Sequence, residues 1–209
     1  MDSRYSRSCD LTVCRSSTST FFDAAAAPRG QLPYVVDDGE TIGDSDTIIA
    51  HFITKYRLTI DATLTAAQRD MSHLINRMLD DLYWVMSYSR WKDEQFWPAF
   101  HNALLRQHPS LTEAGLRKAQ EFNFQRYHFQ GIGRYAPDAA YARGLADLKV
   151  LADIIPANGY VHGEKPTSID AGIYGFIANI FFYDTTPRSS NSSCRLETWR
   201  ATVAPFTAW

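Results

Sequence analysis

Two neighbouring stretches carry residue types from which a small ligand could be held: Gln31-Leu32-Pro33-Tyr34-Val35-Val36, and soon after it Gly43-Asp44-Ser45-Asp46-Thr47-Ile48-Ile49. An X-Pro peptide bond is the only one that goes cis at modest cost. At the mouth of a strand, a cis Pro33 would turn the preceding backbone outward, where Leu32 can pair with an extended peptide. Asp44 or Ser45 is a good N-cap. A helix start also presents amide hydrogens and the positive end of the helix dipole to an anion. A carboxylate docked there would meet the Ser45 hydroxyl, and Asp44 would face an ammonium. Those two demands together describe an α-amino acid head group. Taken singly, Ser45 need do no more than cap its helix, and Pro33 could be a trans turn proline.

The elements that must position these residues follow from the surrounding pattern. A strand runs from Tyr34 to Val36, Asp37-Asp38-Gly39-Glu40 reads as a hairpin turn, and Thr41-Ile42 forms the returning strand. The helix opening at Asp44 or Ser45 has apolar positions at Ile48, Ile49, Phe52 and Ile53.

Helical periodicity dominates downstream. Thr65-Ala66-Ala67-Gln68 is a capping box. Met71, Leu74, Met78, Leu82 and Val85 then define one apolar face, expected in the core, of a helix reaching about Ser87. A second helix spans about Phe96 to Arg106, with Trp97, Phe100 and Leu104 on one side, and ends before Pro109. Thr112 caps a third, with apolar positions Leu116, Ala119 and Phe122, broken at Gln130-Gly131-Ile132-Gly133. That Gly-x-Gly lacks the surroundings of a dinucleotide fingerprint. Pro137 opens a fourth helix with Tyr141, Leu145, Leu148, Leu151 and Ile155 as its stripe. After a short extended connection, Thr167 caps a fifth, with Asp170 returning a bond to the cap's amide. Ile173, Phe176, Ile177, Ile180 and Phe181 mark that helix as the central buried one.

Residues 30 to 56 resemble the second half of the N-terminal domain of a glutathione S-transferase. The helical remainder is similar to the branch containing failed-axon-connections proteins and metaxins. The likeness rests on Leu82-Tyr83-Trp84, Arg90-Trp91, Gln130-Gly131-Ile132-Gly133-Arg134 and Pro166-Thr167-Ser168-Ile169-Asp170-Ala171. The resemblance covers roughly residues 28 to 184. It implies an α/β plus all-α fold, with a partial thioredoxin-like N-terminal domain at 1–56 and an all-helical C-terminal domain at 63–184. It further implies glutathione as co-substrate, held by Leu32, Pro33, Asp44 and Ser45. Tyr83, Trp84 and Tyr88 would line a hydrophobic pocket for a small electrophile, although filling a junction is the simpler role for such a cluster. The Thr167–Asp170 box is implied to be a folding element, and a homodimer is implied because family members commonly pair through both domains.

Both ends depart from that pattern. Only thirty-two residues precede Pro33, and a strand-helix-strand unit takes roughly thirty or more. Residues 1–23 are polar and expected to be poorly ordered, and 185–209 read as an irregular tail. An altered reading frame at both ends would produce both departures. A transferase needs a group that stabilises the glutathione thiolate, the species that attacks. Cys14, Ser16 and Ser17 occupy that part of the chain by position, without a setting that would lower a pKa, and no catalytic residue is assigned.

With 209 residues, 45% of them hydrophobic, the chain can bury a sizeable core. A net charge of −2 argues against nucleic acid or a membrane surface as partner. The sequence has no apolar run long enough to span a bilayer and no signal-peptide core, so the expected location is the cytoplasm. Three cysteines (Cys9, Cys14, Cys194) and six scattered histidines lack zinc-site spacing, and no metal is expected. Two readings remain: a transferase-like protein that binds glutathione and conjugates it to small electrophiles, or a non-catalytic homologue acting as a binding or scaffold module.

Overall fold

Asp38 and Gly39 both adopt positive φ (49° and 85°), and together they form the two-residue turn between β1 (Tyr34–Asp37) and β2 (Glu40–Gly43). A turn of this kind needs left-handed backbone at both central positions, which Asp-Gly accepts. The strands pair antiparallel, Tyr34 opposite Gly43 and Val35 opposite Ile42. In this computed structural model residues 27–156 and 159–181 are described, and among them the hairpin is the only sheet. The polar N-terminal stretch, the C-terminal tail and all three cysteines lie outside the described residues. The chain divides into two compact units after Ile48, inside α1 (Ser45–Lys55). The stripe Ile48, Ile49, Phe52, Ile53 is half-buried, and no residue of α1 is fully buried.

The second unit holds α2 (Ala66–Trp91), α3 (Trp97–Gln107), α4 (Glu113–Gln130), α5 (Pro137–Ile154) and α6 (Ser168–Phe181). The capping box forms as the sequence dictates: the Thr65 hydroxyl accepts from the Gln68 amide at 3.2 Å and the Gln68 side chain accepts from the Thr65 amide at 2.9 Å. Thr112 caps α4 through the Gly115 amide, and Pro137 occupies the first position of α5. α2 is the hub, packing against each of the other four helices.

The buried face of α2 is Ile75, Leu79, Leu82, Val85 and Met86, one residue out of step with the expected Met71, Leu74, Met78 series. Leu74 is 62% exposed and Met71 is also largely in solvent. The two series run on adjacent stripes and share Leu82 and Val85, and the phase is fixed by where α5 and α6 lie rather than by α2's own sequence. The helix also runs on to Trp91, one turn past Ser87. On α4 the inward residues are Leu116, Asn123 and Tyr127, while Phe122 stands 62% exposed. The Arg126 guanidinium stacks 5.8 Å over the exposed Phe122 ring.

Leu82, Leu148, Leu151, Ile173 and Ile177 are sealed from solvent in one core cluster. Each such side chain is worth about 1.5–3 kcal/mol of burial, so this cluster is the principal source of the unit's stability. α6 supplies Ile169, Ile173, Ile177 and Ile180 to it. The start of α6 is held twice over. Asp170 accepts from the Thr167 amide (2.8 Å) and hydroxyl (2.7 Å), and Asp61, ahead of α2, accepts from the Ser168 amide (2.9 Å) and hydroxyl (2.6 Å).

Candidate functional site

The residues singled out before and after the hairpin converge. The Leu32-Pro33 bond is cis, and the Asp44 amide donates to the Pro33 carbonyl at 3.2 Å. That bond joins the lead-in of β1 to the exit of β2, so positions 32 and 33 sit beside the start of α1 even though ten residues of hairpin separate them from Asp44. Leu32 is 48% exposed.

Asp44 is the N-cap and Ser45 the first helical residue. Asp44 has φ +80°, a left-handed conformation that Asp tolerates better than most residues. Its Oδ1 accepts from the amides of Asp46 (3.0 Å) and Thr47 (3.2 Å). Two of the amides that a docking anion could have used are therefore already engaged. What remains for a ligand is the dipole together with the amide and the exposed hydroxyl of Ser45, which take no partner among the described residues.

The second oxygen of Asp44 faces a cation, Arg29, at 3.4 Å. Nothing in the sequence pattern singles out Arg29 for this position. It is carried by the turn Pro28–Gly30, where Arg29 and Gly30 both have positive φ. The turn lies tightly over the end of β2, since a Cβ on Gly43 would meet Pro28 Cβ at 3.0 Å. Both side chains of the pair are about half-exposed, so the ion pair orients Asp44 without withdrawing it from solvent. The site thus combines an exposed hydroxyl on a helix start, a carboxylate and a guanidinium. Each can contact one end of a zwitterion.

In the helical unit, Tyr83 and Trp84 are half-buried on α2 with ring centroids 5.5 Å apart, edge to face. Arg126 stacks 5.0 Å over the Trp84 ring. Tyr88 is 2% exposed and lies among Tyr127 and Tyr141. Behind it the Tyr127 hydroxyl meets Ser87 Oγ at 2.7 Å, and burial pushes that phenol well above the usual tyrosine range despite the hydrogen bond. The Tyr141 hydroxyl donates to buried Asp93 at 2.7 Å. Among the described residues there is no metal-ligating cluster of three, and no helix is long and apolar enough to cross a membrane.

Comparison with known proteins gives matches at both ends of the chain. A family described as the glutathione S-transferase N-terminal domain matches residues 5–96, and one described as the glutathione S-transferase C-terminal domain matches residues 144–198. The N-terminal match reaches back into the stretch whose sequence departs from the pattern. An isoprene-epoxide–glutathione S-transferase of Rhodococcus sp. (strain AD45) is 30% identical over 159 residues, covering 74% of this chain and 67% of the relative. Failed axon connections of Drosophila melanogaster is 30% identical over 171 residues, covering 74% of this chain but 40% of the relative. No solved structure matches the chain.

Proposed function

The chain belongs to the glutathione S-transferase superfamily, in its failed-axon-connections-like branch, and from that premise we propose that it binds glutathione through Leu32, Pro33, Asp44 and Ser45. Its fold is that of the family, a thioredoxin-like N-terminal part followed by an all-helical C-terminal domain. The peptide-like backbone of glutathione pairs with the main chain at Leu32. Its γ-glutamyl carboxylate docks at the dipole and hydroxyl of Ser45, and the ammonium takes the carboxylate of Asp44.

The observation that carries this reading is the 3.2 Å bond from the Asp44 amide to the Pro33 carbonyl, which brings the strand entrance and the helix start together. Because Asp44 already occupies the amides of residues 46 and 47, recognition of the carboxylate falls on Ser45 more than on the bare helix end. The ammonium must also share Asp44 with Arg29, which weakens the contact but leaves the carboxylate prealigned.

Conjugation to a small electrophile is the activity this binding would serve, in keeping with the isoprene-epoxide relative's name. Tyr83 and Trp84 form the aromatic surface offered to such an electrophile, with Tyr88 packed behind them as support. Retention on immobilised glutathione, compared between the native chain and Ser45→Ala, tests the binding step. Retention of the native chain with loss in the variant is expected. Equal retention of both removes Ser45 from the site, and retention of neither defeats the glutathione reading in favour of a non-catalytic scaffold.

A further inference from the structure

The helical unit contains a cleft of about 180 Å³ lined by Asp81, Trp84 and Val85 of α2, by Gln130 through Ile132 with Arg134 and Tyr135 of the following turn, and by Arg143 of α5. Two guanidinium groups and one carboxylate line it, with a second carboxylate, Asp147 of α5, near enough to act on Asp81 and Arg143.

Both arginines are positioned by tethers that leave most of their donors uncommitted. Arg134 donates one Nη1 bond to the His128 carbonyl at the end of α4. Its Nε and Nη2 have no partner among the described residues. The turn that carries it has little freedom. Gly131 sits at φ +112°, and a Cβ there would come within 3.4 Å of Arg134 Nη2. A Cβ on Gly133 would come within 2.9 Å of the Tyr127 backbone, so this turn must lie directly on the end of α4. Arg143 is held by Asp81 at 2.9 Å and stacks 5.5 Å over the ring of Tyr135. The Asp81 hydrogen bond also raises the pKa of Arg143 and keeps it charged.

We propose that this cleft is a binding site for a small monocarboxylate, with the free edge of the Arg134 guanidinium as its primary contact and Arg143 as the second positive charge. A planar fork of parallel N–H donors matches the two oxygens of a carboxylate. The charges select further: Asp81, with Asp147 close by, already balances Arg143, so the uncommitted guanidinium of Arg134 is the positive charge left to neutralise. A monoanion satisfies that charge, whereas a phosphate near its dianionic form exceeds it and meets Asp81 unfavourably. Trp84, Val85 and Ile132 provide the apolar part of the wall for the body of the ligand. Trp84 is shared with the aromatic surface proposed for the electrophile, but neither arginine nor Asp81 belongs to the glutathione-binding set Leu32, Pro33, Asp44 and Ser45, so the two binding assignments can fail independently.

Benzoate is a suitable probe, titrated at pH 7 into the full chain and followed by the Trp84 indole and Arg134 Nε–H resonances in ¹H–¹⁵N spectra. Saturable shifts of both are expected. Arg134→Gln is expected to weaken binding roughly tenfold or more, the usual factor for losing a charge-assisted bond, with an unchanged melting temperature. Arg134→Lys keeps the charge but loses the fork, and is expected to fall between the two, so it decides the matter should the Gln variant not fold. Inorganic phosphate is expected to compete only weakly, and Ser45→Ala to leave the benzoate titration as it is. Absence of saturable shifts, unaltered affinity in both Arg134 variants, or phosphate binding as tightly as benzoate would each overturn the assignment.

Discussion

The start of α1 and the interior of the helical unit are built by different means. Around Asp44, geometry is set by short-range polar bonds among exposed groups: Asp44 to its own helix amides, Asp44 to Arg29, and the Asp44 amide to the Pro33 carbonyl. In the helical unit, geometry is set by apolar side chains drawn from Ile75 through Ile180 and sealed from water. Ile42 is the one fully buried residue of the β-hairpin. The lesson is a separation of roles. Residues near the helix start can change what is bound with little change in stability, and residues of the helical core should do the reverse.

The strongest challenge to that separation is a core truncation. Ile173→Ala, at a fully buried position on α6, is expected to cost about 2–5 kcal/mol in denaturant unfolding. Where folded protein remains, retention on glutathione should be unaltered. A fall in retention in step with the stability loss would show that the two regions are not separable. Next in size is Tyr127→Phe, which leaves buried Ser87 without its partner and is expected to cost about 1–2 kcal/mol. Adding Ser87→Ala should then cost little more. Strict additivity of the two in a double-mutant cycle would mean that the 2.7 Å hydroxyl pair contributes nothing.

Asp44→Ala removes the cap of α1 and is expected to cost about 1 kcal/mol locally, while abolishing glutathione retention. Loss of stability without loss of retention would make Asp44 a cap and nothing more. The smallest effect concerns Asp147 on α5, whose carboxyl is held above the usual carboxylate range by burial and then by the nearby Asp81, with Arg143 pulling the other way. An acid whose folded pKa is raised destabilises the fold while it is ionised; the cost is present above the folded pKa and is relieved as pH falls through it. Asp147→Asn should therefore melt slightly higher than the native chain near pH 7, with the gain disappearing on acidification. A gain that grows at low pH would reverse the sign and refute the account.

Much of this architecture can be read from the chain because its signals are local. The Asp-Gly turn, the capping box at Thr65, the Thr112 cap, Pro137 at a helix start and the Thr167–Asp170 pair each depend on residues within four positions of one another, and each forms. What local pattern misjudges is phase: Met71 and Leu74 belong to a stripe as regular as the buried one, and only the neighbouring helices choose between them. Arg29 escapes notice because nothing in Pro-Arg-Gly indicates that the turn will fold over Gly43. The arginine cleft is hidden for the same reason, since Asp81, Arg134 and Arg143 meet only after three elements have packed. Its one linear hint is the pair of glycines ahead of Arg134, each required by a different constraint.

The double hold on the first turn of α6 has a practical consequence for dissecting the molecule. Asp61 precedes α2 yet supplies two of the hydrogen bonds that anchor Ser168. A fragment meant to isolate the helical bundle must begin upstream of residue 61; one cut at the capping box, the natural place to choose from sequence, would keep every helix and still lose the tie that fastens the last of them to the first.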